Sequence, residues 1–390
     1  MSCLACHSAP PVLNELGQRF RENNRLDNWR EAATVDTGDE RAAVLKQFPL
    51  SLRTQGYATA RRSFELLDYS SDTRGAHSSL DFQTPYLLKL ISSAPLSERA
   101  GYFFSMDLNQ SMDISQWRLQ DAWVRFGHDR ILRVTLGQLN LSDMMHDRDT
   151  RLTVQDFWLY PMAKLDRSRG IKLDLAVEFS TLSIGLINGN GAGQIYQNNA
   201  VGLGRNHALF DNDSMKSVFT HFRLSQDQNK MGIFALYGEQ ARASGNFAEL
   251  NSTQHSAMYM AGLDFSGNSM HRAYWYGQVL VSQWDNFINA NHAYRWVGGF
   301  FGVDYISRDA FVLSLLYSVN KAGSFTNSNT IYRGLNLHSL TTTASYFLMH
   351  NLRLIVELNM DFLPLDELEN SYVGHQAKED YFLFGVDLSY

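Results

Sequence analysis

Residues 352–362 read LRLIVELNMDF, and apolar side chains occupy every second position of this run. One face carries Leu352, Leu354, Val356, Leu358, Met360 and Phe362, and the other carries Arg353, Ile355, Glu357, Asn359 and Asp361. Residues 171–179, IKLDLAVEF, show the same alternation. Because successive side chains of a β-strand point to opposite sides, both runs predict strands with one apolar and one charged face. Such long strands favour a transmembrane β-barrel over a soluble sandwich, with the apolar face towards lipid.

The same alternation recurs along the chain and predicts sixteen strands, an even number as in bacterial outer-membrane barrels. They span residues 48–58, 79–91, 99–109, 116–127, 129–139, 169–179, 180–188, 214–225, 229–240, 254–266, 271–283, 293–306, 308–320, 336–347, 350–362 and 378–390. Tight connections are each followed, after one more strand, by a longer one, as expected for periplasmic turns and outer loops. The link after residue 109 is the exception, because it is an outer connection and short.

The last predicted strand ends at Tyr390, with Phe382, Phe384, Val386 and Leu388 at alternate positions before it. An amphipathic final strand with a terminal aromatic residue is what the outer-membrane assembly machinery recognises. With the strand count, it predicts a bacterial outer-membrane protein in contact with the lipid bilayer. On this register Val356 faces lipid, where an arginine is costly, whereas Glu357 faces the lumen and Glu357→Arg is expected to be tolerated.

Composition excludes several other classes of protein. The 390 residues carry a net charge of −6 and no block of Lys and Arg, which argues against nucleic acid as a partner. No apolar run approaches the ~20 residues of a membrane-spanning helix, so a helical membrane protein is excluded. No linker divides the chain after about residue 47. We therefore predict a short N-terminal segment, residues 1–47, followed by an all-β barrel, residues 48–390.

Both cysteines lie in the run Cys3-Leu4-Ala5-Cys6-His7. The spacing C-x-x-C-H is the attachment signature of c-type haem, in which two thiols bond the porphyrin and the imidazole binds the iron. A zinc half-site would lack its second pair of ligands, and the residues before Cys3 do not fit a lipid anchor. The motif therefore predicts one covalent haem c, held by Cys3 and Cys6, with His7 as a ligand of the haem iron.

Haem attachment of this type is completed outside the cytoplasm, so the chain is expected to be exported. No signal peptide precedes Cys3, and we expect the sequence to be a mature form or a truncated gene model. After the motif, Leu13, Leu16 and Phe20 stand at helical spacing, which predicts a short α-helix with its apolar face on the haem edge.

The sixth ligand of the haem iron is not in the N-terminal segment, because no His or Met lies between residues 8 and 76. It must come from the barrel or a partner, or be absent. The long connection over residues 140–168 contains Met144, Met145 and His146, and we favour this cluster because such loops often fold into a barrel lumen. Strand alternation also points His221, Met258 and Met260 inward, as less favoured candidates, and places Met106 on the lipid face.

The same connection carries Asp143, Asp147, Asp149 and Asp156. Together with His146 as a metal ligand, these carboxylates suit Fe(II) or another divalent ion entering the lumen. A simpler explanation is that acidic residues at a constriction set a weak preference for cations.

The combination of Cys3, Cys6 and His7, a following Pro and Leu, then Gly17 and Phe20, joined to a sixteen-stranded barrel, resembles the fused monohaem cytochrome-porin family. The specific motif covers residues 3–20, and the remainder agrees only in architecture and length. The best-known members are outer-membrane iron oxidases. The resemblance therefore implies that Cys3 and Cys6 bind haem, that His7 is its proximal ligand, and that electrons pass between the cell exterior and the periplasm. It does not identify the donor.

Two functions of different class stay open. The first is electron transfer from an extracellular donor, with Fe(II) favoured, to a periplasmic c-type cytochrome, which would be an Fe(II):cytochrome c oxidoreductase activity. The same parts would also serve outward flow to extracellular metal. The second is a porin for solutes or ions, with a haem segment that senses or gates. The haem favours the first function, because diffusion of solutes needs no redox centre.

Overall fold

A computed structural model describes most of the barrel and small parts of the N-terminal segment. The described residues are 7–9, 12–13, 17, 49–68, 73–97, 99–111, 114–127, 131–163, 165, 167–188, 216–226, 228–241, 255–269, 272–289, 292–307, 310–322, 336–362 and 376–389. Within these ranges no helix has the length and apolar character needed to cross a membrane.

Sixteen antiparallel strands form one closed barrel, as predicted, and two short strands precede it. The short pair is β1 (His7–Ala9) and β2 (Val12–Leu13). The barrel consists of β3 (Ser51–Asp68), β4 (Thr73–Ser97), β5 (Ala100–Ser111), β6 (Ile114–Phe126), β7 (Leu132–Asn140), β8 (Arg167–Val177), β9 (Ser180–Ile187), β10 (Ser217–Gln226), β11 (Asn229–Ala241), β12 (His255–Ser269), β13 (Ala273–Asn289), β14 (His292–Ile306), β15 (Phe311–Ala322), β16 (Leu337–Met349), β17 (Leu352–Asp361) and β18 (Gln376–Ser389).

The predicted facing of the strands is confirmed by the exposure of their side chains. In β17, Val356 is 38% exposed on the outer wall, whereas Arg353 and Glu357 are 2% and 0% exposed inside. The last strand has the same register, with Phe382, Phe384 and Val386 outside. The outer wall is thus an apolar surface suited to lipid, and the charged side chains of β17 point into the lumen.

Connections at the two ends of the barrel differ in length. The turns from even-numbered to odd-numbered strands are short, as between Val177 and Ser180 or between Gln226 and Asn229. We therefore assign this end to the periplasm, and the opposite end, where β9–β10 and β17–β18 are joined by long connections, to the cell exterior.

Two of the outer connections differ from the prediction, and a third agrees with it. Strands β3 and β4 have 18 and 25 residues, much longer than predicted, and only residues 69–72 join them. Strand β13 extends to Asn289 and β14 begins at His292, so a hairpin replaces the predicted outer loop. Strands β5 and β6 also form a tight hairpin, which confirms the short link noted after residue 109. Outside the hydrocarbon layer no lipid contact enforces apolar alternation, and the sequence signal ends before the strands do.

The first and last barrel strands close the structure. Strand β18 pairs with β3 through a register that places Asp387 opposite Gln55. Because β3 runs outward from Ser51, the N-terminal segment joins the barrel at its periplasmic end.

Little of the N-terminal segment is described. Leu13 lies in β2, paired with His7, so the predicted helix could begin only after it. Leu16 and Phe20, like the thiols of Cys3 and Cys6, lie outside the described residues. For His7 the structure gives the backbone alone, and the covalent haem stays a prediction.

Candidate functional site

The long connection after β7 folds into the lumen, as predicted from its length. We call its described residues, 141–163 and 165, the inner loop. It contains two short 3-10 helices, Leu141–Met144 and Arg148–Thr150, and one turn of α-helix, Leu159–Ala163. Its side chains and backbone contact the inner faces of strands on opposite sides of the barrel, so the inner loop narrows the channel.

An apolar cluster seats one side of the inner loop against β12–β14. The rings of Phe157 and Phe300 stack with centroids 4.4 Å apart and an interplanar angle of 4°. Leu159 and Tyr160 are fully buried in the same cluster, and the Tyr160 hydroxyl donates to Gln278. Such burial of a loop's own aromatic side chains favours one fixed position over a mobile one.

The buried carboxylate of Glu357 holds the opposite side of the inner loop. Its two oxygens accept the backbone N–H groups of Val154 at 2.6 Å and Gln155 at 2.9 Å. The hydroxyls of Thr343 and Tyr381 donate to the same carboxylate at 2.6 and 2.7 Å. These four hydrogen bonds stabilise the carboxylate in its ionised form, and two of them fix the loop backbone to β17.

An arginine network adjoins this anchor at the barrel seam. Arg53 of β3 makes two hydrogen bonds to Asp387 of β18, of 3.1 and 2.8 Å, and also donates to the carbonyl oxygen of Asp149. Arg353 of β17 donates to Asp387 at 2.8 Å and to the carbonyl oxygen of Leu152 at 3.0 Å. The same side chains thus join neighbouring wall strands to the inner loop.

Ion pairs neutralise part of the acidic character of the inner loop. Lys89 lies 2.6 Å from Asp149. Burial alone would raise the pKa of Asp149, but Lys89, Arg53 and Arg151 outweigh it and lower the pKa to about 2. This carboxylate is therefore ionised at physiological pH, and its contribution to stability is lost only as the pH falls towards 2. Asp156 is paired with Arg148 and Arg151 in the same way.

A cavity remains between the inner loop and the wall formed by β5–β10. The loop side carries Asp143, Asp147 and Asp149, and the wall carries Arg125, Arg133, Lys172 and Arg223 with two carboxylates, Asp121 and Asp174. Negative charge therefore predominates on one side of this opening and positive charge on the other. A charged solute crossing it meets a transverse electric field.

The three favoured haem-ligand candidates of the inner loop lie in different surroundings. Met144 lines the cavity. Met145 packs against the apolar cluster, where its sulfur accepts a hydrogen bond from Gln278. His146 is enclosed by aromatic rings, and its Nε2 donates to the Gly277 carbonyl oxygen at 3.0 Å. Burial lowers the pKa of His146, which favours its neutral form.

The other inward candidates face the lumen as predicted. His221 lines the cavity, and its Nε2 lies 2.8 Å from Asp264. A Cβ atom at Gly232 would collide with both side chains of this pair, so a larger residue there would displace them. Met258 and Met260 are buried in the apolar cluster. Among the described residues, no three His, Cys, Asp or Glu side chains are grouped so that they could hold a metal ion. The role of His146 as a metal ligand stays a prediction.

The anchoring residues Glu357, Arg353 and Asp387 were missed as functional residues by the sequence analysis. Their inward position was readable from the alternation, but the inner-loop partners of Glu357 and Arg353 are up to 203 residues away in the chain, and Arg53, the partner of Asp387, is 334 residues away. A charged side chain in the middle of an inward face is the available signal. It indicates a lumen residue without indicating what it binds.

The chain matches no protein-family model and no curated relative. Among solved structures it is similar to an anion-selective porin from Comamonas acidovorans, with a TM-score of 0.57 and 11% identity over 88% of this chain and 99% of that one. It is also similar to the outer-membrane channel DcaP of Acinetobacter baumannii, with a TM-score of 0.60 and 12% identity over 88% and 97% of the two chains. Salmonella typhi OmpF gives 0.55 and 10% over 88% and 98%. The chain thus has the porin fold, and its place is the bacterial outer membrane.

Proposed function

We propose that this chain is an outer-membrane electron-transfer protein that carries electrons from an extracellular donor, with Fe(II) favoured, to a periplasmic c-type cytochrome. The observation that carries the proposal is the C-x-x-C-H motif in a chain whose remainder is an outer-membrane barrel. The N-terminal segment joins the barrel at the periplasmic end. This position supports the proposal, because a soluble periplasmic cytochrome would meet the haem segment on that side.

The donor set of the motif fits a covalent haem. Cys3 and Cys6 supply two thiols at the spacing of the porphyrin vinyl groups, and His7 supplies the imidazole. A haem held there provides a one-electron redox centre. A sixth ligand from the lumen would come from Met144 or His221, since both line the cavity, whereas Met145 and His146 are engaged with the wall.

The inner loop would attract a cationic electron donor into the lumen. Asp143, Asp147 and Asp149 line the cavity on its loop side, and carboxylates are ligands that suit divalent cations. Asp149 is paired with Lys89, so the charge of Asp143 and Asp147 is what raises the local concentration of a cation such as Fe(II), without the need for a tight site.

Anaerobic stopped-flow spectroscopy tests the proposed function. Purified, oxidised protein mixed with Fe(II) should develop the absorption bands of a reduced c-type haem within the mixing experiment. Zn(II) in place of Fe(II) is the control, because it has the same charge and no redox chemistry. A spectrum that stays oxidised with Fe(II) but is reduced by dithionite would refute Fe(II) as the electron donor.

Haem attachment itself gives an all-or-none prediction. Wild-type protein denatured and separated by electrophoresis should keep a covalent haem stain, and the double variant Cys3→Ala/Cys6→Ala should lose it. The variant barrel should still fold, since the closing strands and the inner loop make their described contacts without the thiols. A heat-dependent shift in gel mobility reports the folded barrel. Absence of the stain from wild-type protein would overturn the proposal.

A second candidate function is a solute or ion porin, and the opposite charges across the cavity favour it. One porin of the same fold is named as anion-selective. In this chain Arg125, Arg133, Lys172 and Arg223 on the wall of the cavity would favour the passage of anions. On this alternative the N-terminal segment senses or gates. The presence of covalent haem together with Fe(II)-dependent reduction favours electron transfer, and their joint absence favours the porin.

A further inference from the structure

A basic wall lies in the periplasmic half of the lumen. Arg125 is next to the last residue of β6, Arg133 is the second residue of β7, and Arg223 lies three residues before the end of β10. Lys172 of β8 completes the group. All four side chains line one cavity, within a few residues of the periplasmic turns.

The wall is partly preorganised. The Arg125 guanidinium lies 4.5 Å from the centre of the Trp123 ring and donates to Thr135 at 3.0 Å. Arg133 is 9% exposed, and Lys172 is held 3.0 Å from Asp174. Guanidinium groups fixed in this way bind carboxylates with little further loss of side-chain freedom, through paired N–H donors.

The N-terminal segment can reach this wall. The chain enters the barrel at the same end, and roughly 40 residues separate the haem motif from β3, enough to span about 130 Å when extended. The opposite side of the cavity carries Asp143, Asp147 and Asp149. These carboxylates repel an anionic group. The wall carries Asp121 and Asp174 beside its four cations and so keeps an excess of positive charge, which directs an incoming carboxylate to it.

We propose that Arg125, Arg133, Lys172 and Arg223 form a carboxylate site that receives the propionate groups of the N-terminal haem. The proposal rests on the proposed function, and it adds the residues that orient the N-terminal segment within the barrel. A haem edge paired with fixed cations would be held in one orientation towards the lumen. Free carboxylate solutes have the same chemistry and are the alternative occupant.

Redox potentiometry of the intact haem protein tests this site. Arg133→Gln and Arg223→Gln are each expected to lower the midpoint potential, because loss of a nearby cation disfavours the more negative reduced state. The midpoint potential varies with pH where the propionates titrate. Both changes should shift this range to higher pH, because propionates without a cationic partner have a higher pKa. The other titratable groups that face the cavity are Asp121, Asp143, Asp147, Asp149, Asp174 and His221.

Arg272→Gln is the matched control. This arginine lies in the turn between β12 and β13, at the same end of the barrel but not in the cavity lining, and its loss should leave the potential unchanged. Arg223→Gln keeps the test decisive if Arg133→Gln does not fold, since Arg223 is less buried. Haem-containing variants with the wild-type potential and pH profile would overturn the carboxylate site.

Two further results separate the possible failures. If both arginine variants change the succinate-to-potassium permeability ratio in planar bilayers but leave the midpoint potential unaltered, the wall serves passing solutes and the propionate assignment is wrong. If the wild-type protein carries no covalent haem, the proposed function fails first and this inference falls with it.

Discussion

Val356→Arg is expected to lower the free energy of unfolding by about 2–4 kcal/mol, the cost of a cationic side chain on the lipid face near the bilayer midplane. Val356 is in the middle of β17 and points out of the barrel. Its neighbours Leu354 and Leu358 share that face, so the guanidinium would have no polar partner along its own strand. Urea unfolding in lipid vesicles, followed by tryptophan fluorescence, measures the change.

Leu352→Arg provides the matched control for depth. Leu352 is on the same face of the same strand but begins β17 at the periplasmic end. Near the interface the side chain can reach water, and a cost of about 0–1 kcal/mol is expected. Equal losses at positions 352 and 356 would contradict the membrane position inferred for β17.

Glu357→Ala should release the inner loop from the wall. The change leaves the N–H groups of Val154 and Gln155 and the hydroxyls of Thr343 and Tyr381 without their shared acceptor. The Tyr381 hydroxyl keeps a second acceptor in the Gln155 side chain, but the other three donors lose theirs. Each buried group without a partner costs about 1–3 kcal/mol, so the loop is expected to move until water reaches these donors. Single-channel conductance in planar bilayers should then rise above that of the wild type.

Glu357→Gln is the appropriate control, because it keeps one acceptor oxygen and nearly the same shape. Its conductance should lie closer to the wild-type value than that of Glu357→Ala. A wild-type conductance in Glu357→Ala would show that the apolar cluster around Phe157 and the arginine network position the loop without this carboxylate.

These expectations correct one drawn from the sequence, in which Glu357→Arg was predicted to be tolerated. The inward direction of Glu357 was right, because alternation between lipid and lumen is imposed at every residue of a barrel strand. The expected tolerance of arginine does not fit the surroundings of this side chain. Glu357 is fully buried because the inner loop covers it. Contacts between a wall strand and a loop far away in the chain leave no periodic signal in either segment.

The contacts of the inner loop could likewise be predicted only in part from the sequence. Its length predicted correctly that it enters the lumen. The alternation rule has no counterpart in an irregular segment, so it could not separate Met144, which lines the cavity, from Met145 and His146, which pack on the wall. The haem motif lies at the other extreme. It is explicit in the sequence, while Cys3 and Cys6 lie outside the residues that the structure describes.

The pairing of Arg53 with Asp387 bears on the order of assembly. These residues are 334 positions apart, so their contact forms only when the C-terminal strand has been delivered to the first one. The same arginine donates to the inner loop, and Arg353 connects Asp387 to Leu152. The contact of Arg53 with the inner loop is therefore completed together with the closure of the barrel, late in biogenesis. A barrel in which β18 has not yet paired with β3 would have an open sheet edge and an inner loop without its contact to Arg53. Such an intermediate would be exposed to aggregation and proteolysis.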